Sequence, residues 1–283
     1  MTGSLNDKSA AASGFRFPWP FPSGKPGALY TAKSYVMMSC VALLSKIMFM
    51  RGANKMVVKN KERLLSVIND RSRPLITVSN HRCNIDDPLM WSMLSLGEFW
   101  RNVDRQRYIL AAHDICFTKQ LHTTFFSLGR CVPCVRGAGV NQPGMDYCLD
   151  RLNDNQWVHV FPEGRVLTDP IRLKWGVGRL IMECKRAPVL LPIWIDGMQH
   201  VWPTFKPYYP RFGKTVEVQI GEPIDTASII AEFRSDDDLM TRKKITDSVQ
   251  KALFQLGEQS GKLPAGTLGA IERDDESRSI FYK

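Results

Sequence analysis

Short apolar runs alternate with helix-like stretches through the middle of the chain, and this alternation restricts the possible folds more than any other feature. The apolar runs cover residues 74–79, 130–135, 157–161, 189–195 and 215–220, and the helix-like stretches cover about 119–128, 144–153, 175–186 and 238–257. Aliphatic and β-branched runs of this length are typical of buried strands. Strands that alternate with helices predict an α/β fold with a mixed, largely parallel central sheet flanked by helices.

The composition fits a single large domain with mobile ends. Of the 283 residues, 44% are hydrophobic and 23% are charged, and the chain contains no internal repeat and no long linker. We therefore expect a flexible N-terminal arm at 1–28, an apolar helix at 29–50, the α/β domain at 51–258 and a polar, disordered tail at 259–283.

Charge and cysteine content limit the ligands that the chain can bind. The formal net charge of +10 predicts an anionic partner. Because the basic residues are scattered and no zinc-finger spacing or RNA-recognition motif occurs, phosphate groups of lipids or small ligands are favoured over nucleic acid. Cys131 and Cys134 form a single CxxC pair that no second pair completes, so we expect free thiols and no metal.

An apolar segment near the N-terminus points to a membrane surface. The uncharged run between Lys33 and Lys46 has 12 residues, whereas a spanning helix needs about 20. We therefore interpret 29–50 as an interfacial helix with Lys33, Lys46 and Arg51 at the headgroups; a core helix and a true span remain alternatives. Upstream, aromatic residues alternate with prolines in 15–22, and they either meet a bilayer interface or pack on the domain.

The loop after the first strong apolar run carries a histidine and an aspartate, His81 and Asp86. On a continuous helix their side chains would point apart, since five positions turn through about 500°. We expect Pro88 to open a helix with Asp87 as its N-cap, which leaves Asp86 free to fold back on His81. A carboxylate on one imidazole nitrogen would leave the other as a general base. Alternatively, both aspartates cap the helix and His81 is an ordinary loop residue.

Two other strand ends carry groups suited to an anionic substrate. The turn Pro162-Glu163-Gly164-Arg165 follows one apolar run, and Arg136 follows another. A rigid turn with exposed N–H groups and an arginine can bind phosphate oxygens. The carboxyl ends of parallel strands meet at one edge of a sheet, where ligands bind in open α/β folds. The alternatives are an ordinary surface turn and a surface arginine.

A serine nucleophile is missing from the sequence pattern. No Gly-x-Ser-x-Gly occurs, and Ser79 stands in a strand-like run two positions before His81. The base would then activate a substrate hydroxyl directly, which predicts acyl transfer to an alcohol without a covalent acyl-enzyme. We expect His159, inside another apolar run, to be a core or supporting residue.

Four stretches occur in the order of the motif blocks of the glycerolipid acyltransferase family, and from about 29 to 258 the chain resembles that family. The four stretches are Asn80-His81-x4-Asp86, Gly129-Arg130 through Arg136-Gly137, Phe161-Pro162-Glu163-Gly164-Arg165 and Leu191-Pro192-Ile193. Longer stretches at 114–119, 125–133, 174–180 and 209–213 are similar to the phospholipid–lysophospholipid transacylases of the family.

The resemblance implies a role for each matching residue. It makes 51–258 the acyltransferase domain, His81 the general base and Asp86 its partner. The expected substrate-binding residues are Asn80, Arg136, Glu163, Gly164 and Arg165. Arg165 follows Gly164 directly, where many family members have Thr or Ser in between, so its phosphate contact departs from the family pattern.

The resemblance also implies a reaction and a location. It implies CoA-independent acyl transfer from a phospholipid to a lysophospholipid, with cardiolipin among the lipids remodelled and no cofactor required. It implies monotopic or peripheral attachment to mitochondrial membranes on the intermembrane-space side, and it leaves the oligomeric state open. The alternatives are an acyl-CoA-dependent lysophospholipid acyltransferase and a non-catalytic lipid-binding protein.

Overall fold

The computed structural model describes residues 19–22, 24, 26–167, 169–235 and 237–271. Most of the predicted N-terminal arm and the end of the predicted tail lie outside these residues. The β-strands, in chain order, are β1 Lys55–Lys59, β2 Leu75–Ser79, β3 Tyr108–Ala112, β4 Cys131–Cys134, β5 Trp157–Val160, β6 Val189–Asp196, β7 Thr215–Ile220 and β8 Ile224–Asp225.

The strands form one sheet in the order β1-β7-β6-β2-β5-β3-β4, and β8 pairs with β6. From β6 to β4 all neighbours are parallel, whereas β7 and β8 are antiparallel to β6, and β1 is parallel to β7. This arrangement confirms the predicted mixed, largely parallel sheet. The loops that follow the parallel strands all leave at the same side, which we call the carboxyl edge.

Helices cover both faces of the sheet. The α-helices are α1 Ala28–Ile47, α2 Lys61–Asn69, α3 Asp86–Met90, α4 Leu96–Arg101, α5 His113–Cys116, α6 Gln120–Leu128, α7 Pro143–Asn153, α8 Gly176–Glu183, α9 Met198–Val201, α10 Thr226–Phe233 and α11 Asp238–Gln259. The predicted helix from Pro88 to about Leu96 is instead α3, a 3-10 turn at Trp91–Met93, and then α4.

Alternate residues of the central strand β2 enter two separate cores. Ile76 and Val78 belong to the core beneath α7, α8 and α11, whereas Leu75 belongs to the core on the α2 and α3 side. Successive side chains of a strand point to opposite faces. Because both faces are covered, β2 is buried along its whole length, and the loop after it starts from a rigid position.

The two ends of the described chain pack on the domain. Phe21 is buried and stacks on Tyr147 with ring centroids 4.4 Å apart, which favours the packed alternative for this part of the aromatic arm. At the other end, Leu263 enters the core, and Leu268 and Ile271 pack against it. The first part of the tail that was predicted to be disordered therefore packs on the domain, because three apolar side chains in a polar stretch contact the core.

Helix α1 lies against the domain with its outer face uncovered. Tyr30 and Ser34 donate hydrogen bonds to backbone carbonyls at the end of α6. Lys46 was expected at the headgroups. It instead faces the domain, where it donates a hydrogen bond to the carbonyl of Ser92. The helix has 20 residues, and an 18-residue window of it has a mean hydropathy of 1.2, which is long and apolar enough to cross a membrane by length and composition alone. Because only 17% of that window is buried, a core helix is a poor description.

Candidate active site

His81 lies two residues beyond β2 at the carboxyl edge and forms a hydrogen bond with Asp86. The distance from His81 Nδ1 to Asp86 Oδ2 is 2.9 Å. Asp86 is completely buried, whereas the His81 side chain remains 18% exposed. Because an ionised carboxylate only accepts hydrogen bonds, His81 Nδ1 carries a proton and Nε2 is an acceptor. The pairing expected from the sequence is therefore present in the structure.

The loop backbone holds the Asp86 carboxylate in place. The N–H groups of Arg82 and Cys83 donate to Asp86 Oδ2 at 2.6 Å and 2.8 Å. Three donors on one oxygen fix the carboxylate, and the carboxylate in turn fixes the tautomer and orientation of the imidazole. Such a group also stabilises the imidazolium that forms when Nε2 takes a proton.

The predicted role of Asp87 as the helix cap is wrong. Helix α3 begins at Asp86 after Ile85, which makes no side-chain cap. Asp87 instead pairs with buried Arg107, with Nε 2.9 Å from Oδ1, and accepts a hydrogen bond from Trp91 Nε1. Burial alone would raise the pKa of Asp87, but the Arg107 guanidinium holds it below its usual range. The buried arginine needs a charged partner, and this need decides the role of Asp87.

Two aromatic rings pack behind the imidazole of His81. Phe161, the residue after β5, stacks on it with ring centroids 4.1 Å apart and planes 13° apart. His159 meets Phe161 edge-on, and its ring nitrogens contact the hydroxyls of Thr77 and Ser79. Burial lowers the pKa of His159 to about 3, so it is neutral at physiological pH. It is a supporting residue, as the sequence indicated.

Glu163 turns into the protein and holds the backbone of His81. The Glu163 side chain is fully buried, and Oε2 accepts the N–H of His81 at 3.0 Å. Burial raises the pKa of this carboxyl to about 7. The turn requires Gly164, which has φ of +72°. Glu163 was expected to contact the substrate phosphate, but in this structure its Oε2 accepts a hydrogen bond from the loop that carries His81.

Asn80 also faces inward rather than toward a substrate. Its side chain is fully buried, and its amide bridges the N–H and the carbonyl of Ile195 at 2.8 Å each. In effect the amide extends the pairing of β2 with β6 beyond the last strand residue. The expected role of Asn80 in substrate binding stays a prediction, and in this structure both polar atoms of its side chain contact the Ile195 backbone.

The two predicted phosphate-binding arginines are exposed at the carboxyl edge. Arg165 follows Gly164 on the surface, and Arg136 follows β4. Arg136 forms a forked contact with Asp114, with Nη2 3.0 Å from Oδ2. Strand β4 is three positions from β2 in the sheet, which corresponds to about 14 Å at the usual strand spacing. Arg136 and Arg165 thus place two exposed basic groups at the same edge of the sheet as His81.

Within the described residues, no hydroxyl or thiol side chain forms a hydrogen bond with His81. The Ser79 hydroxyl lies on the buried side, 3.3 Å from His159 Nε2. Cys83 is buried, and burial raises the pKa of its thiol, which disfavours the nucleophilic thiolate. The arrangement is suited to deprotonating a hydroxyl group brought in by a substrate.

Sequence reasoning missed the partners that lie underneath the couple. Arg107 precedes β3, a strand that the apolar pattern did not reveal, and Phe161 was placed at the end of a strand-like run with no indication of its contact with His81. The parallel pairing of Val78 with Val160 puts the residues after β2 and β5 side by side. Strand order was the missing information, since it makes Phe161 a neighbour of His81.

Comparison with known proteins identifies the family. The family model described as Acyltransferase matches residues 45–196. The chain is 40% identical to tafazzin from Drosophila melanogaster over 267 residues, which cover 92% of this chain and 70% of that protein. The chain belongs to the tafazzin family of glycerolipid acyltransferases. It is therefore an acyltransferase.

Further tafazzin-family similarity and a solved structure agree with this assignment. Taffazin from Dictyostelium discoideum is 35% identical, and the match covers 87% of this chain and 80% of that protein. The crystal structure of 1-acyl-sn-glycerophosphate acyltransferase from Thermotoga maritima superposes with a TM-score of 0.54 over 80% of this chain and 81% of that one. Because the identity is 20%, this similarity supports the fold of the present chain and nothing further.

Proposed function

We propose that this enzyme transfers an acyl chain from a phospholipid to the free hydroxyl of a lysophospholipid without CoA, and that cardiolipin is among the lipids it remodels. The observation that carries the proposal is the His81–Asp86 couple, with Nδ1 bound to a buried carboxylate. Nε2 is left to accept a substrate proton beside exposed arginines. The tafazzin relatives support phospholipids as the substrates.

The proposed reaction uses both nitrogens of the His81 imidazole. His81 Nε2 takes the hydroxyl proton of the lysophospholipid as its oxygen attacks the ester carbonyl of the donor phospholipid. Asp86 stabilises the imidazolium that results. When the tetrahedral intermediate collapses, the imidazolium returns the proton to the oxygen of the departing lysophospholipid. One ester bond forms and one breaks, so the balance requires no ATP and no redox partner.

A direct transfer fits the groups that surround His81. A covalent route would need a serine or cysteine within hydrogen-bond reach of the base. In the part of the chain that the structure describes, the polar contact of the imidazole is with Asp86. Arg136 and Arg165 supply charge that favours binding of the lipid phosphate at the same edge, whereas Gly164 shapes the turn, since its N–H donates to the carbonyl of Phe161.

The same proposal covers organisation and location. Residues 51–258 form the acyltransferase domain, and the helix within 29–50 lies in the membrane interface with its uncovered apolar face in lipid. Exposed apolar residues of α1, such as Val36, Leu44 and Ile47, support this role. The enzyme works as a monotopic or peripheral protein on mitochondrial membranes that face the intermembrane space.

The deciding experiment is acyl exchange in vesicles that contain a labelled phospholipid and a lysophospholipid but no CoA. Wild-type protein should move the label, and His81→Ala and Asp86→Asn should lose about 10²–10⁴-fold in rate. Wild-type activity only after acyl-CoA is added would favour the acyl-CoA-dependent alternative. Unchanged rates in both variants would contradict the mechanism and favour a non-catalytic lipid-binding role.

A further inference from the structure

A loop at the carboxyl edge presents four large aromatic side chains to solvent. The aromatic loop, residues 202–214, connects α9 to β7. Phe205 is 63% exposed, Tyr208 and Tyr209 are each 57% exposed, and Phe212 is 58% exposed. Soluble monomers rarely leave so many neighbouring large apolar groups uncovered. Tyrosine and other aromatic side chains are enriched where protein meets the headgroup layer of a bilayer.

The base of the aromatic loop is held firmly, so the exposure of its tip is a built feature. Arg211 N donates to the carbonyl of Val201 at 2.8 Å and closes the loop on itself. Gly213 N donates to the carbonyl of Ala53 at 2.8 Å. The second bond joins the loop to the segment that leaves α1. The base of the aromatic loop is therefore tied to the short segment that connects α1 to β1.

Topology puts this loop on the same side of the sheet as His81. Strand β6 is the parallel neighbour of β2, so the chain that follows β6 emerges beside the chain that follows β2. Strand β1 is parallel to β7, which is antiparallel to β6, and hence the end of α1 reaches the same edge. The couple, the aromatic loop and the end of α1 all lie at the carboxyl edge.

The charge of the aromatic loop suits an anionic surface. No Asp or Glu occurs between Asp196 and Glu217, whereas Lys206, Arg211 and Lys214 are all basic. Arg211 lies over the Phe205 ring, with its guanidinium carbon 5.6 Å from the ring centroid. Basic groups beside inserted aromatics bind anionic lipids through headgroup charge as well as through apolar burial.

We propose that the aromatic loop is a second membrane-docking element, which inserts its four aromatic side chains at the headgroup level of an anionic bilayer and sets the carboxyl edge against the lipid. The proposal goes beyond the proposed function, where α1 alone carries the membrane contact. Docking at two points fixes the orientation of the domain, because a single helix would leave it free to pivot. A bound lipid then needs to rise only partly from the bilayer to reach His81.

Binding to vesicles tests the proposal without relying on catalysis. Full-length His81→Ala protein would be sedimented with vesicles of phosphatidylcholine alone or of equal parts phosphatidylcholine and phosphatidylglycerol. Adding Phe205→Ser, Tyr208→Ser, Tyr209→Ser and Phe212→Ser should weaken binding to both vesicle types by at least about tenfold. The matched control carries Leu239→Ser and Met240→Ser, which remove exposed apolar groups of α11, and it should bind like its parent.

The charge component has its own variant and control. Lys206→Gln, Arg211→Gln and Lys214→Gln together should lower the affinity for the anionic vesicles by roughly a hundredfold at low salt and leave binding to phosphatidylcholine almost unchanged. The control replaces Lys59, Lys185 and Lys251 with Gln, three exposed lysines outside the carboxyl edge. Equal losses in the two triple variants would mean that general charge, and not the loop, attracts the protein.

If the fourfold variant fails to fold, fluorescence quenching by lipids tests whether the aromatic loop enters the bilayer. In a Cys40→Ser background, a fluorophore on Tyr208→Cys should be quenched by brominated lipid chains, and one on Lys185→Cys should not. Unaltered vesicle binding of a folded fourfold variant, or equal quenching at the two positions, would overturn the proposal. A wild-type dimer that the fourfold variant loses in sedimentation velocity, with vesicle binding unchanged, would instead assign the loop to a second copy of the chain. Because His81 is already removed, none of these results depends on transacylation.

Discussion

The ring of Phe161 lies nearly parallel to the imidazole of His81, with centroids 4.1 Å apart and planes 13° apart. Asp86 fixes one nitrogen of the imidazole at its edge, and Phe161 covers one face. Together these contacts restrict both the tilt and the rotation of the ring. The free nitrogen is then held in one direction before any substrate arrives, which reduces the reorganisation needed for proton transfer.

Replacing Phe161 should therefore slow catalysis without changing lipid binding. We expect Phe161→Leu to lower kcat by about fivefold, since an aromatic contact contributes about 1 kcal/mol and tenfold in rate corresponds to about 1.4 kcal/mol. KM should stay the same, and Phe161→Tyr, which keeps the ring, should restore most of the rate. Steady-state transacylation on vesicles measures both constants. A raised KM with unchanged kcat would mean that Phe161 contacts the lipid instead.

The buried carboxyl of Glu163 predicts a pH dependence of stability. Its pKa rises from 4.5 to about 7 in the folded protein, so the folded state holds a proton that the unfolded state loses. Stability must then fall as the pH rises from about 4.5 to about 7, by up to about 3 kcal/mol from this group. Glu163→Gln removes that loss and keeps an oxygen for the N–H of His81.

The measurement is the difference in melting temperature between Glu163→Gln and wild type, recorded at pH 5 and again at pH 8. The melting temperature of the variant should rise relative to that of wild type as the pH rises, because only the wild type has to ionise a buried carboxyl. A difference that is the same at both pH values would show that Glu163 does not titrate in this range. Glu222→Gln, at an exposed site, supplies the control and should show little pH-dependent change.

Local patterns predicted β2, β4, β5, β6 and β7 and the pairing of His81 with Asp86, but not β1, β3 or β8. Long-range partners decided the remaining contacts. An apolar run that ends in polar residues identifies a strand end wherever it occurs, and so β2 and His81 were found. Asp87 was misassigned because its partner, Arg107, stands 20 positions away. Asn80 and Glu163 were expected to face a ligand because they match motif positions of the acyltransferase family. Each instead pairs with backbone from a neighbouring strand or loop, and only the strand order determines that contact.

Asn80 offers a direct test of structural against substrate-binding roles. Asn80→Ala leaves the buried N–H and carbonyl of Ile195 without their side-chain partner, which should cost roughly 2–5 kcal/mol of unfolding free energy. Below the melting temperature, KM for the lysophospholipid should be unchanged. Asn84→Ala, an exposed substitution in the same loop, should alter neither quantity. A variant of normal stability with a raised KM would restore the substrate-binding assignment.

Arg136 and Arg165 remain the groups expected to bind the phosphate. Because both side chains are exposed, we expect their replacement to change KM rather than the stability of the fold. Arg136→Gln and Arg165→Gln should each raise KM by about threefold to tenfold and change kcat little, since a lost charge-assisted contact weakens binding of substrate and transition state alike. The control is Arg101→Gln, which removes an exposed arginine at the end of α4 and should leave KM as it was.

The pairing of Arg136 with Asp114 sharpens this last test. A phosphate that binds Nε and Nη2 of Arg136 displaces the Asp114 carboxylate, whose nearer oxygen lies 3.0 Å from Nη2. Because both side chains are exposed, the displacement costs about 1 kcal/mol or less. Asp114→Asn should therefore lower KM by up to about fivefold, in the direction opposite to Arg136→Gln, and the double variant should resemble Arg136→Gln. If Asp114→Asn raised KM instead, the aspartate would be orienting Arg136 for the phosphate rather than competing with it.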